Sequence, residues 1–241
     1  MSKRAVIMAG GKGTRLRPYT VAIPKPLMPV GDLPILEIVI RQLAQHGFDR
    51  ITLAVNHQAE ILRAFCQDGQ RWGVKIDYSL EDRPLSTIGP LALIPDLPEN
   101  FLIMNGDTLT DFNYGAFYNQ HCASGDLFTV SCAERTSKLD YGLLEIENGK
   151  LVGFREKPVS RHNVCMGINM ANRRILDLIP HNKPYGFDHL MLDLLARHSP
   201  ATVYPFSGYW LDIGRPDDYE RATDEYEANK ARFLPDLAEV A

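Results

Sequence analysis

Cysteine is scarce in this chain. Cys66, Cys122, Cys132 and Cys165 are scattered, with no C-x-x-C pair. They read as reduced, mostly core thiols rather than a disulfide framework. No apolar run approaches the length of a membrane span, so no membrane partner is expected. The Ala5–Ala9 stretch is too short for a secretory h-region and no cleavage-like site follows it, so a cytoplasmic protein is expected. Long basic runs are also missing. The formal net charge is −4 with acids and bases interspersed, which argues against a nucleic-acid partner. No internal repeat, low-complexity tract or linker is visible. What is present is ordinary globular composition, 45% hydrophobic and 23% charged over 241 residues, which argues against disorder. The length suits one large domain or two small ones.

The first 135 residues alternate strand and helix. Residues 5–10, 51–56, 74–80, 101–107 and 127–134 are apolar, β-rich runs of strand length. Between the first two, Ile35, Val39 and Leu43 repeat every four residues and Gly47 follows as a stop signal. Residues 57–66 and 113–125 are weaker segments of the same kind. Such alternation predicts an α/β fold, a mostly parallel sheet with helices on both faces. Ligands of such sheets bind beyond the carboxyl ends of the strands. Residues 10–15, 81–89 and 105–107 fall there. The second part predicts a hairpin over 141–158 around Asn148-Gly149, a strand running into a helix over 165–179, a helix over 186–198, and two extended pieces around Gly208. A charged helix capped at or near Asp217 closes the chain, the whole forming one compact unit.

Gly10-Gly11-Lys12-Gly13-Thr14-Arg15 follows the first strand. Glycines at three of four positions let backbone N–H groups close on a phosphate. Lys12 and Arg15 add positive charge, and Arg15 suits bidentate phosphate contact. The dinucleotide fingerprint fails because Leu16 stands where its last glycine belongs. The Walker pattern fails because Gly13 follows Gly11-Lys12 in place of Ser or Thr. A glycine turn alone is equally consistent with a structural bend. The segment Pro24-Lys25-Pro26-Leu27-Met28-Pro29 tips the balance: it predicts a stiff, extended frame aiming one lysine, with Pro26 biasing Lys25 away from helix. Together the two favour a polyphosphate site.

Residues 10–30, GGKGTRLRPYTVAIPKPLMPV, resemble the signature of the sugar-1-phosphate nucleotidyltransferases, also called nucleotide-sugar pyrophosphorylases. Further blocks occur in the family's order: Pro84–Gly89, Asn105-Gly106-Asp107, Tyr141-Gly142, Glu156-Lys157-Pro158 and Trp210–Gly214. The resemblance spans nearly the whole chain and lies closest to the mannose-1-phosphate guanylyltransferase branch. It implies a Rossmann-like core with a small β-hairpin sugar-binding lobe, in a single domain over 1–241. The nucleotide half is 1–135 and the sugar-phosphate half 136–241. It also implies Mg2+, transfer without a covalent enzyme intermediate, and an NTP and a sugar 1-phosphate as partners. Oligomeric state stays open, a homo-oligomer included. The sequence shows no hexapeptide repeat, so no acyltransferase or regulatory β-helix domain is expected.

By resemblance, Asp107 and Asp212 hold the metal, a donor set that suits a hard cation completed by phosphates and water. Gly10, Gly11, Gly13, Thr14, Glu81 and Gly89 bind the nucleotide, with Arg15 and Lys25 as catalytic cations. Gly142, Glu156, Lys157 and Asn169 contact the sugar phosphate. His162 and Cys165 lack partners for a zinc site. Ser86 and Ile88 stand where the family shows glycine and alanine, which puts the path of the base loop in question. Glu81 could accept from guanine N1–H and N2–H₂, an edge uracil lacks. GTP is therefore the expected donor, with a uridylyltransferase as the alternative.

The implied reaction is in-line attack by a sugar-phosphate oxygen on the α-phosphorus of the NTP, with pyrophosphate leaving. The nucleophile is already anionic, so positioning and charge stabilisation must carry the reaction. Two other classes compete. A catalytically silent nucleotide-sugar sensor could dispense with the carboxylate pair. A glycosyltransferase would more often show an Asp-x-Asp motif, and Asp107 and Asp111 are too far apart for that.

Overall fold

In a computed structural model, which describes residues 2–235, the continuous β-branched and apolar runs form strands. In chain order the elements are β1 (Arg4–Met8), β2 (Pro29–Val30), β3 (Leu33–Pro34), α1 (Ile35–Gln45), β4 (Arg50–Val55), α2 (Ala59–Cys66), β5 (Lys75–Leu80), β6 (Asn100–Asn105) and β7 (Thr108–Thr110). They continue with α3 (Tyr114–Ser124), β8 (Phe128–Lys138), β9 (Leu143–Glu147), β10 (Lys150–Arg155), β11 (Val159–Asn172), α4 (Phe187–Ala196), β12 (Thr202–Phe206), β13 (Trp210–Asp212), α5 (Pro216–Ala228) and α6 (Lys230–Phe233).

Seven strands make one sheet in the order β12-β8-β11-β6-β1-β4-β5. β1 lies parallel to β4 and β6, β4 to β5, and β8 to β12. Only β11 runs against its neighbours β6 and β8. The sheet is thus mixed and mostly parallel, flanked by helices, in the Rossmann-like manner expected.

The period-two pleat divides each central strand between two cores. Ala5, Ile7, Leu102 and Met104 face one side, where Leu36, Val39, Ile40 and Leu43 of α1 meet them. Val6, Phe101 and Ile103 face the other, under Ile88, Leu91 and Leu190. Each fully buried Leu or Ile contributes about 1.5–3 kcal/mol. The other edge of α1, Ile35 and Ile38, joins Leu211, Ile213, Tyr226 and Phe233 in a third core that ties the C-terminal helices to β7 and β13.

The hairpin forms as predicted. Asn148 and Gly149 take φ 49° and 76°, the left-handed pair that a two-residue turn needs. Ile146 pairs with Leu151 and Leu144 with Phe154 on one exposed face, while Arg155 and Glu145 bridge at 3.3 Å.

Three expectations are corrected. The segment around Lys25 is not extended throughout: Lys25–Leu27 is a 3-10 turn between extended Pro24 and Met28. Pro26 is tolerated because the first N–H groups of a helical turn have no internal partner to lose. The closing helix begins at Pro216 with Arg215 as its cap and no capping side chain. Asp217 and Asp218 lie in its first turn, and it breaks at Asn229 before α6. Residues 173–178 continue β11 as a 3-10 helix rather than an α-helix.

Candidate active site

The carboxyl ends of β1, β4, β5 and β6 open onto a cavity of about 600 Å³. Its floor is the glycine loop after β1. Gly13 takes φ 58°, and a Cβ there would lie 2.9 Å from Thr20 Cγ2 and 3.2 Å from Lys25 Cβ. Only glycine lets the loop and the lysine turn close together. Thr20 Oγ1 donates to the Gly13 carbonyl at 2.7 Å and holds the bend.

The lysine turn sits over the end of β6. A Cβ on Gly106 would come 3.1 Å from Ile7 Cγ2 and 3.4 Å from Pro26 Cγ, so glycine at 106 permits that approach. The Lys25 ammonium donates to Asp107 Oδ2 as an ion pair, with the two side chains only 12% and 17% exposed. The other oxygen, Asp107 Oδ1, is buried without a partner.

Asp212 arrives from the far end of the sequence. β13 pairs antiparallel with β7, setting Asp212 against Thr108, and Ile213 N–H donates to the Asp107 carbonyl at 3.0 Å. Burial pushes the Asp212 carboxyl above the usual aspartate range. Asp107 adds to the shift, while Lys25 and Arg15 oppose it. A Cβ on Gly214 would be 3.2 Å from Asp212 Oδ2 and 3.5 Å from Arg15 Nη1, so the guanidinium and the second carboxylate flank one point. An unpartnered buried oxygen beside a second carboxylate fits a divalent cation that takes its remaining ligands from phosphate and water. Among the described residues no cluster of three or more metal-ligating side chains occurs, so the protein itself would supply a partial shell.

Glu81 closes the opposite wall. Its N–H donates to the Val55 carbonyl at 2.9 Å, and Asn56 Nδ2 donates to its carbonyl at 3.2 Å. Its Oε2 accepts from Leu85 N–H at 3.0 Å. Burial raises the Glu81 carboxyl above its ordinary value, with the Leu85 N–H opposing. The loop path in question resolves into a bend: Ser86 adopts φ 67° where glycine would be unstrained, and Ile88 is buried in the second core. Left-handed backbone costs a non-glycine residue about 1–2 kcal/mol, against about 0.5–1 kcal/mol for the extra freedom glycine brings to the unfolded chain. Ser86→Gly is therefore expected to raise stability by about 0.5 kcal/mol. A higher urea midpoint with an unchanged m-value checks this, and a lower midpoint contradicts it.

Gly10, Gly11, Gly13, Thr14, Arg15, Lys25, Glu81 and Asp107 line the cavity together. Gly89 stands behind the wall, its N–H bound to the Tyr185 carbonyl at 2.8 Å. A second cavity of about 190 Å³ adjoins the first, sharing Met8, Thr87 and Asn105, and Asn169 lines it. Gly142, Glu156 and Lys157 line neither cavity. They lie beyond the outer ends of β8 and β11, where Val159 pairs with Lys138, and Gly142 packs near Phe154 and Glu156. Asn105 and Cys165 also face the second cavity, and neither was singled out from sequence for contact with a substrate. The Asn105-Gly106-Asp107 block held the signal for Asn105; for Cys165 no local pattern existed.

A glycine cradle, cations and paired carboxylates at the carboxyl rim of such a sheet define the class: a Rossmann-like α/β fold built to receive phosphate esters. The chain belongs to the nucleotidyl transferase family, whose pattern matches residues 4–229. It is 33% identical over 225 residues to the mannose-1-phosphate guanylyltransferase catalytic subunit beta of Dictyostelium discoideum, covering 90% of this chain and 62% of that protein. It is 32% identical over 240 residues to the UTP–glucose-1-phosphate uridylyltransferase of Synechocystis, covering 91% and 62%. The chain thus spans less than two thirds of the length of these relatives. Among solved structures, HddC from Yersinia pseudotuberculosis superposes with a TM-score of 0.72 at 26% identity, covering 93% of this chain and 99% of that one. That protein has also been solved with GMP-PN. No helix among the described residues is long and apolar enough to cross a membrane.

Proposed function

We propose that this protein transfers a nucleoside monophosphate from an NTP, with GTP the best candidate, to mannose 1-phosphate or a heptose 1-phosphate, releasing pyrophosphate. The observation that carries the reading is the meeting of Lys25, Arg15 and Asp107 in the wall of the larger cavity, with Asp212 in electrostatic contact behind them. The larger cavity suits the nucleotide and the smaller one the sugar. The glycine-loop N–H groups and Arg15 hold the β- and γ-phosphates, and Lys25 neutralises the α-phosphate. The sugar-phosphate oxygen attacks in line and needs no base. Asp107 and Asp212 would hold Mg2+, which supplies charge neutralisation to the reacting phosphates when bound.

Glu81 supports the choice of GTP, because its carboxylate meets the paired donors of a guanine edge. The guanylyltransferase relative and the solved neighbour's guanine nucleotide agree with this reading. The uridylyltransferase relative keeps UTP with a hexose or amino-sugar 1-phosphate as the second reading. Glu81→Gln presents an amide N–H₂ to one guanine donor and is expected to lower kcat/KM for GTP by about 10²-fold or more. UTP turnover should change little. Equal losses for both nucleotides would remove Glu81 from base selection.

The deciding assay mixes each of four NTPs with a panel of sugar 1-phosphates and reads pyrophosphate. GTP with a mannose-type sugar phosphate is the expected pair. No release with any pair would indicate a nucleotide-sugar sensor, and consumption of a finished nucleotide-sugar would indicate a glycosyltransferase.

A further inference from the structure

Two thiols face each other across the sheet beside the smaller cavity. Cys132 on β8 and Cys165 on β11 are direct partners in the antiparallel ladder, so both side chains leave the same face. Direct partners in such a ladder hold their Cα atoms about 4.5–5.5 Å apart, inside the range of about 4.4–6.8 Å that a disulfide spans. Their Cβ atoms, about 4.5–5.5 Å apart, must approach by up to about 1.5 Å. The ladder can give at that point. Register between β8 and β11 shifts immediately after Cys165, before Asn169, and Gly167 takes φ 73° within the shift. Both thiols are free and neither is fully buried. Burial pushes the Cys165 thiol up, with the Gly167 N–H opposing, and pushes the fully buried Cys66 thiol up to about 12, which leaves Cys66 inert.

Cys165 is also part of the cavity wall, next to Asn105 and Asn169. Its Sγ accepts the Gly167 N–H at 3.4 Å, and its S–H donates to Asn169 Oδ1 at 3.8 Å. The thiol proton therefore helps to orient the amide that the proposed function places against the sugar.

We infer that Cys132 and Cys165 form a reversible thiol–disulfide site, oxidised by a small-molecule disulfide, whose closure reshapes the wall of the smaller cavity. The thiolate of Cys132 attacks one sulfur of the small disulfide, forms a mixed disulfide and expels the first small thiolate. Cys165, as thiolate, then attacks the Cys132 sulfur, closes the cross-strand bond and expels the second. The two protons lost by the protein thiols end on the two small thiols released, so the protein is oxidised by two electrons and the reagent reduced by two. Asn169 loses its S–H donor and the Gly167 N–H loses its acceptor. The consequence for sugar phosphate rests on the proposed function; the thiol chemistry does not.

The test incubates the whole protein with glutathione disulfide, alkylates the remaining thiols and maps the peptides. The expected product links the peptides bearing residues 132 and 165, two hydrogens lighter than the reduced pair, and dithiothreitol reverses it. Amide hydrogen exchange over 166–168 rises on oxidation. KM for the sugar 1-phosphate rises about tenfold, the size of one lost hydrogen bond, while KM for the NTP holds. Cys132→Ser abolishes the link and makes KM insensitive to the oxidant. Two alkylated thiols at 132 and 165, after exposure that has modified exposed Cys122, overturn the inference. So does a link that forms with unchanged exchange and unchanged KM. A chain that forms the link and changes its exchange, but turns over no NTP with any sugar 1-phosphate, refutes the transferase reading and leaves the thiol site standing.

Discussion

Lys25→Met is expected to lower kcat by about 10²–10³-fold while KM for the NTP rises far less. The size follows from what the ammonium does. At the start of the reaction the α-phosphate already carries negative charge, and a second anion must approach it. A fixed cation in a site screened from water offsets that repulsion most strongly where charge accumulates, in the transition state. Lys25 is well placed for this role because its turn is clamped on three sides: Pro24 and Pro26 stiffen it, Gly13 lets the phosphate loop pack against its Cβ, and Gly106 admits Pro26. Methionine keeps the length and removes the charge. The same change has a second consequence. Lys25 is paired with Asp107, so its loss leaves the Asp107 carboxylate beside Asp212 without that ion pair. The metal-free variant should melt earlier than the unaltered protein, and millimolar Mg2+ or Mn2+ should recover more of the melting temperature in the variant. Steady-state kinetics and thermal melts with and without the divalent ion check both halves. Near-normal turnover in Lys25→Met would take the lysine out of the chemistry.

The sheet was legible in the sequence because its central strands are buried on both sides, and near-continuous Val, Ile, Leu and Met admit little else. The hairpin was legible because Asn148-Gly149 suits the left-handed turn it occupies. The phosphate loop and the lysine turn were legible as polyphosphate chemistry, since glycine spacing and isolated cations are local features. Their detailed path was not: Pro26 disfavours helix for Lys25 by local sterics, yet one 3-10 turn fits because its N–H was never needed. Asp212 shows the limit of local reading most clearly. Only the resemblance of the Trp210–Gly214 block marks it, no physical feature of its neighbours does, and the pairing of β13 with β7 carries it to Asp107, 105 residues away by number. A placement of Asp212 remote from Lys25 would have undone the proposed chemistry; the fold puts them in electrostatic contact. The sugar side was the least legible. Resemblance named Asn169, which lines the smaller cavity with Cys165 and Asn105, and also Gly142, Glu156 and Lys157, which line neither cavity and stand beyond the outer ends of β8 and β11. Which residues meet in a cavity between an antiparallel strand and a loop depends on the register shift after Cys165, and no sequence period encodes a bulge of that kind.

Asp212→Asn is expected to separate stability from activity in opposite directions. The Asp212 carboxyl titrates above the ordinary aspartate range because burial, and then Asp107, disfavour its charge more than Lys25 and Arg15 favour it. A raised acid holds its proton more tightly in the folded chain than in the unfolded one. At pH below the ordinary aspartate value both states are protonated and the group contributes nothing. As pH rises through the window between the unfolded and folded values, the folded state binds more protons than the unfolded, so stability falls with rising pH. Above that window the penalty is complete. Asparagine has the same shape and no charge to bury. In the presence of a chelator the variant should therefore melt higher than the unaltered protein at neutral pH, and the gain should shrink as pH is lowered toward the ordinary aspartate range. Catalysis moves the other way. With one carboxylate left to hold a divalent ion beside Lys25 and Arg15, kcat should fall by about 10²-fold or more, and half-saturation by Mg2+ should shift upward. Melts in chelator across that pH range, set beside a Mg2+ titration of turnover, measure both effects. A variant that melts lower than the unaltered protein at neutral pH would show that attraction to Lys25 and Arg15 outweighs burial at Asp212. Unchanged Mg2+ dependence would move the cation elsewhere in the cavity.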